Sequence, residues 1–374
     1  MIKLVRVEMR NITKRYGKIV AIKDLNLTIK DGEYIAVLGP TGAGKTTTMY
    51  ILAGLVQPTE GRILFDGKDV TDLPAEDRNV GFVFEEYNLF PRMTVEENVL
   101  FGPRVKALDI NESRSVAKEL FHLLNIAGKE NNYPNEISGG QKQRVALARA
   151  IVSNAQLLIM DDPLRALDAK IREMLQIELR NLVKDLGLTC IHATHDIHEA
   201  MRVADKIAVF QQGRMVQFGT PNEIYNHPKT LEIATFLSEC NVFEGIIKIK
   251  DNKKVLMLKN DIEFIVDTNL PNNTEVRAAL PTELVDIYKT TEKEELNYDN
   301  IIPAQLVKQQ CSGEFYTFLL SLDDDIAIKG KELVGKSFHF KNNETVLFAT
   351  DKDDFRVYKK DNNDEKESNN KPIK

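Results

Sequence analysis

Tyr34-Ile35-Ala36-Val37-Leu38-Gly39-Pro40-Thr41-Gly42-Ala43-Gly44-Lys45-Thr46-Thr47 is the stretch that decides the fold. A short apolar run meets a Gly-rich loop, and a helical pattern starts at Lys45. Gly39 to Thr46 fits G-x-x-x-x-G-K-[ST] at every fixed position, in the strand–loop–helix setting that motif requires. Bare backbone lets several N–H groups turn toward one anion, and the helix that follows aims its positive end at the same point. Lys45 would reach the β- and γ-phosphates, and Thr46 would offer its hydroxyl to Mg²⁺. Gly39, Pro40, Thr41, Gly42, Ala43, Gly44, Lys45, Thr46 and Thr47 are therefore the expected nucleoside triphosphate contacts.

Two further apolar runs, Leu157–Met160 and Thr189–Ala193, read as buried strands followed by polar residues that start helices. Buried strands alternating with helices imply an α/β core with mostly parallel strands. The first of these runs ends in Asp161-Asp162. A strand-end carboxylate at Asp161 suits Mg²⁺, and Asp162 stands where an attacking water would lie. Residues 1–30 alternate as strands, and roughly 86–155 turn helical, as a subdomain inserted in the core. Beyond 237, short strand-like runs separated by Asn, Asp and Gly predict a small all-β domain. The expected divisions are 1–236, 237–352 and a disordered tail from 353, the stretch KKDNNDEKESNNKPIK being nearly devoid of apolar residues.

Ile137-Ser138-Gly139-Gly140-Gln141, with KQRVALARAIV behind it, resembles the signature of the ABC ATPases, usually Leu-Ser-Gly-Gly-Gln. Serine, bare backbone and a helix start again suit phosphate. In that family Ser138, Gly139, Gly140 and Gln141 would close over the nucleotide of the opposite subunit. The resemblance extends in family order to Tyr16 in KRYG as the adenine-stacking aromatic, Asp168 in RALD as the acidic residue of the dimer interface, and His195 in ATHD as the γ-phosphate switch. The phrases GRILFDGKDVTDLPAEDRNVGFVF and LFPRMTVEENV resemble the ATPases of binding-protein-dependent importers for sugars, glycerol phosphate or polyamines, whose C-terminal β domain is of the oligonucleotide/oligosaccharide-binding class. This implies ATP and Mg²⁺ as ligands, a second ATPase subunit (the same or a different chain), two membrane permease subunits, and indirectly an extracytoplasmic solute-binding protein. It also implies a peripheral place on the cytoplasmic face of the membrane. Tyr87, Leu89, Phe90 and Met93 would either receive a helix of the membrane partner or form helical-subdomain core.

Three positions depart from the pattern. Glu85 replaces the usual Gln that contacts Mg²⁺ and the attacking water. It keeps an acceptor oxygen, adds a negative charge and loses an amide donor. Asp162 replaces the usual Glu and is one methylene shorter. Arg165 stands where Ser is common, a cation that either meets the partner's acids or offsets Glu85. The catalytic set expected is Asp162, His195 and Glu85, with Thr46, Asp161 and Glu85 at the metal. These departures predict slow or partner-dependent hydrolysis with nucleotide binding intact. The alternatives are a regulatory subunit paired with a more typical ATPase, or an ABC ATPase outside transport.

Composition narrows the class. The formal net charge of -6 disfavours a phosphate-tracking surface, so no nucleic acid is expected. Cys190, Cys240 and Cys311 are too few and scattered for a disulfide framework or thiolate metal site. No apolar core of signal-peptide length starts the sequence, and no run of about 18 apolar residues predicts a membrane span. His192, His195 and His198 share no predicted face and are not expected to bind metal.

Overall fold

The computed structural model describes residues 5–165, 169–323, 325–334 and 340–360. It divides into two compact units, one up to Ile224 and one from Tyr225 onward. That division falls earlier than the expected 236/237. Helix Leu231–Leu237 explains the difference, because Leu231 and Ala234 bury their side chains against Ala279 of the second unit.

In the first unit, β1 (Val7–Tyr16), β2 (Ile19–Ile29), β3 (Tyr34–Leu38), β4 (Glu60–Phe65), β5 (Lys68–Asp69), β6 (Val80–Val83), β7 (Leu157–Asp161), β8 (Thr189–Thr194), β9 (Lys206–Gln211) and β10 (Arg214–Gly219) build two sheets. One has the order β2-β1-β4-β5 and is antiparallel. The other has the order β10-β9-β3-β8-β7-β6, parallel throughout except for β10. Every residue of β3, β7 and β8 is buried. These strands lie inside the sheet with both faces covered, so they read as unbroken apolar runs rather than alternating ones. One core, including Met49, Ile51, Ile35 and Ile159, packs α1 (Lys45–Ala53) and the antiparallel sheet against the parallel one.

The opposite core receives the helices between β6 and β7: α2 (Val95–Val99), α3 (Phe101–Val105), α4 (Ile110–Leu123) and α5 (Gly139–Val152). Asp109 caps the start of α4, its carboxylate accepting from the amides of Asn111 and Glu112. Helices α6 (Ala169–Asp185) and α7 (Ile197–Val203) flank β8, and α8 (Pro221–Asn226) spans the division between units.

The second unit begins with α9 (Leu231–Leu237) and carries two antiparallel five-stranded sheets among the described residues. The strands are β11 (Cys240–Lys250), β12 (Lys253–Met257), β13 (Glu263–Ile265), β14 (Glu275–Pro281), β15 (Asp286–Lys289), β16 (Asn300–Cys311), β17 (Phe315–Ser321), β18 (Ala327–Leu333), β19 (Thr345–Thr350) and β20 (Arg356–Lys359). Phe243, Phe264, Phe348 and Phe355 meet in their common core. β20 corrects the expected tail boundary at 353. It pairs with β14 and Phe355 is 4% exposed, so one buried aromatic ties a largely polar segment into the sheet. The rest of the expected tail, 361–374, lies outside the described residues.

Candidate functional site

Register assembles the site. Leu38 of β3 stands opposite Thr194 of β8, and Ala193 of β8 opposite Asp161 of β7. One step beyond these level strand ends come Gly39, His195 and Asp162. Val83 of β6 is opposite Met160 of β7, which brings the loop bearing Glu85 to the same edge. Four loops thus leave the carboxyl ends of adjacent parallel strands, where open α/β sheets bind ligands. They frame a cleft of about 300 Å³ lined by Thr41, Gly42, Gly44, Lys45, Thr46, Thr47, Glu85, Asp161, Asp162, Arg165 and His195, with Ile19, Val20 and Ala21.

Within the Gly-rich loop, Gly44 has φ +99° and a Cβ there would stand 2.6 Å from the Ala21 carbonyl oxygen, so only glycine fits. α1 starts at the next residue with no side-chain cap, leaving its first-turn N–H groups without an intrahelical partner. Lys45 folds back over the loop, its Nζ donating to the carbonyls of Gly39 (2.7 Å) and Pro40 (3.0 Å). Burial pushes its pKa down, opposed by the charges of Asp162 and Asp161. These two carbonyls hold a positive group at the cleft, where an anion would compete with them for it.

Thr46 donates from Oγ1 to Asp161 Oδ1 at 3.1 Å. Asp161 is buried, and its pKa is raised, first by desolvation and then by the neighbouring charges of Asp162 and Glu85. Asp162 adopts φ +47°, a left-handed conformation that Asp tolerates better than most residues, and its amide donates to the Ala193 carbonyl at 2.8 Å. Its Oδ2 lies 2.7 Å from His195 Nδ1. Glu85 Oε1 accepts from Arg165 Nη1 at 2.8 Å.

His195 is held by what lies behind it. Thr194 Oγ1 accepts from the Asp196 amide (3.0 Å) and donates to buried Glu199 (2.6 Å). His192 lies deeper in β8, its Nδ1 3.0 Å from the Tyr34 hydroxyl and its Nε2 3.4 Å from Glu199 Oε1 without hydrogen-bond alignment. His198 is on α7, so the three histidines point into different surroundings.

Other expected site residues lie elsewhere. Ser138 caps α5 reciprocally with Gln141, accepting from its amide at 3.3 Å while its own amide donates to the Gln141 side chain at 2.9 Å. Gly139 and Gly140 form the helix's first positions, and Ser138 and Gly139 are exposed. None of the four lines the cleft. Tyr16 ends β1, exposed, with Lys14 Nζ 4.9 Å above its ring, and it does not line the cleft either. Asp168 lies outside the described residues. Tyr87 is buried core, whereas Phe90 packs against Phe101 in a tilted contact, 4.4 Å between ring centres. Sequence reading missed the apolar wall of Ile19, Val20 and Ala21. Ile19 stands exposed at the start of β2, and its exposure is visible only in the fold.

A family model described as ABC transporter matches residues 22–165. The spermidine/putrescine import ATP-binding protein of Bacillus cereus is 43% identical over 306 residues, covering 78% of this chain and 93% of that one. Its counterpart from Acidothermus cellulolyticus is 43% identical over 270 residues, 71% of this chain and 70% of that one. A solved ATP-binding cassette dimer in a post-hydrolysis state, bound to ADP and Pi, is 35% identical with a TM-score of 0.52, covering 57% of this chain and 98% of that one. The chain belongs to the ABC transporter family, as an ATP-binding, ATP-hydrolysing subunit of the import type.

Proposed function

We propose that the cleft binds ATP with Mg²⁺, and that a second ATPase subunit completes each site by laying its Ser138–Gln141 segment over the nucleotide. The observation that carries this is the level ending of β3, β7 and β8, which sets Lys45, Thr46, Asp161, Asp162 and His195 around one cleft. The exposed, capped start of α5, separate from the cleft, supports a role toward another copy. Asp168 takes the interface role its resemblance implies.

The donor set fits the metal. A hydroxyl and a carboxylate 3.1 Å apart, with Glu85 on the same cleft, are the hard oxygen ligands Mg²⁺ prefers. A bound Mg²⁺ would neutralise charge on the transferring phosphoryl oxygens. The chain's residues do the rest. Lys45 leaves the two loop carbonyls for the terminal phosphates. The N–H groups from Gly42 to Thr47 surround the phosphate oxygens. Asp162 orients the attacking water, and His195, steered by Asp162, contacts the γ-phosphate. Ile19 offers an apolar surface to the base, and Tyr16 a stacking ring.

The substrate class follows the relatives, which import spermidine and putrescine, so we assign this chain to polyamine uptake. It works with two permease subunits and a solute-binding protein, at the cytoplasmic face of the membrane. Lys45→Ala should weaken ATP binding at least about a hundredfold in calorimetry. A Lys45→Ala chain that binds ATP like wild type would remove the nucleotide assignment. Reconstituted with its permease, the wild-type chain should drive ATP-dependent uptake of labelled spermidine; uptake of a sugar and not of spermidine would redirect the substrate assignment.

A further inference from the structure

We propose that Arg165 is the built-in counter-ion of Glu85, and that the two act as one unit setting the affinity of the cleft for triphosphate. The inference rests on the nucleotide reading above. Glu85 follows β6 and Arg165 follows β7, 80 residues apart in sequence, yet Arg165 Nη1 lies 2.8 Å from Glu85 Oε1. Both side chains line the cleft with Lys45, Asp161 and Asp162.

The charges there give the pair its meaning. Glu85, Asp161 and Asp162 supply three carboxylates, and Lys45 and Arg165 supply the two permanent cations of the lining. Without Arg165, three carboxylates and one ammonium would face a polyanionic ligand. The pair is itself half-exposed, 58% for Arg165 and 46% for Glu85, so it contributes little to folding. Its effect falls on what enters the cleft. Arg165 engages the carboxylate that would otherwise repel the γ-phosphate, and leaves it available to a metal ion that competes for the same oxygens.

The test is a double-mutant cycle read by calorimetry, with ATP as probe, in EDTA and again with Mg²⁺. Arg165→Ser should weaken binding of Mg²⁺-free ATP about tenfold, equivalent to about 1.4 kcal/mol. In EDTA, Glu85→Gln alone should bind Mg²⁺-free ATP at least as tightly as wild type. The double variant should return to within about threefold of wild type. The Arg165→Ser defect should shrink with Mg²⁺ and at high salt. Unchanged affinity in Arg165→Ser overturns the proposal. So does a double variant as weak as Arg165→Ser, which would mean that Arg165 acts on the nucleotide directly. If wild type binds no ATP in either buffer, the nucleotide reading itself falls; if it binds and the cycle is flat, only the pairing falls.

Discussion

Asp162→Glu probes the departure with the clearest kinetic consequence. One backbone angle and two contacts define Asp162: φ +47°, a hydrogen bond from its amide to the Ala193 carbonyl oxygen at 2.8 Å, and an oxygen 2.7 Å from His195 Nδ1. The backbone is therefore pinned, and only side-chain length sets where the carboxylate ends. Glu would carry it about 1.5 Å further, one carbon–carbon bond. A catalytic group misplaced by about 1 Å costs on the order of a hundredfold in rate. Asp162→Glu should accordingly raise kcat for ATP by about ten- to a hundredfold, leaving ATP affinity unchanged. A second effect runs the other way. Asp is more at home than Glu at positive φ, so the substitution should destabilise the first unit by about 1 kcal/mol, seen as a fall of about 2–4 °C in its Tm. Steady-state phosphate release and thermal unfolding read the two separately. If Tm falls as expected and kcat does not rise, carboxylate reach does not limit turnover.

Two further perturbations test the support of the site. Burial raises the pKa of Glu199 to about 7 and lowers that of His192 to about 3. Folded Glu199 keeps a proton that the unfolded chain releases near its usual 4.5, so its contribution is full below that pH and is lost as pH rises toward 7. His192 runs oppositely, the unfolded imidazole taking a proton below about 6.5 that the folded one refuses until about 3. Glu199→Gln removes only the first effect. Relative to wild type, the variant should gain about 1.4 kcal/mol per pH unit between about 4.5 and 7 in urea titrations; a difference independent of pH refutes the assignment. Arg149 of α5 donates to the carbonyls of Tyr87 and Asn88, each at 2.7 Å, where both residues have positive φ (63° and 43°). Arg149→Ala should cost about 3 kcal/mol in the same titrations and loosen the loop after Glu85, read as faster amide exchange there; wild-type exchange would show the turn holds without the guanidinium.

What the sequence disclosed follows the range of each constraint. The Gly-rich loop between β3 and α1 was legible because its demands are local: bare backbone at Gly44, a lysine beside it, and a helix that begins at once. β7 and β8 were legible because central parallel strands bury both faces and read as unbroken apolar runs. β16 was not. Its NIIPAQLVKQQC alternates poorly and contains Pro303, which reads against a central strand. The pairing resolves this, since residues 300–304 adjoin only β19 while β17 joins from Gln305 onward. Proline thus sits in the half of the strand with a single neighbour. β20 escaped for a related reason: a four-residue strand inside a charged segment is fixed by the burial of Phe355 and by its partner β14, neither of which can be read from local composition.

The departures from the family pattern show the same limit with more at stake. Taken singly, Glu85 predicts repulsion of the nucleotide, Asp162 a short reach, and Arg165 an awkward cation at an interface. Contact between Glu85 and Arg165 changes the first and third together, because a carboxylate engaged by a guanidinium at 2.8 Å no longer faces the phosphates as a free charge. Nothing comparable offsets Asp162. Its left-handed backbone and its bond to His195 fix the shorter side chain where it is, and no neighbouring acid among the cleft residues other than Asp161 and Glu85, both otherwise engaged, could stand in for the missing methylene. The Glu85–Arg165 pair and Asp162 should therefore separate by assay. Changing Glu85 and Arg165 moves affinity, and changing Asp162 moves turnover. A chain built this way should bind ATP and spend longer in the bound state before hydrolysis, so ATP affinity and kcat should respond to different variants.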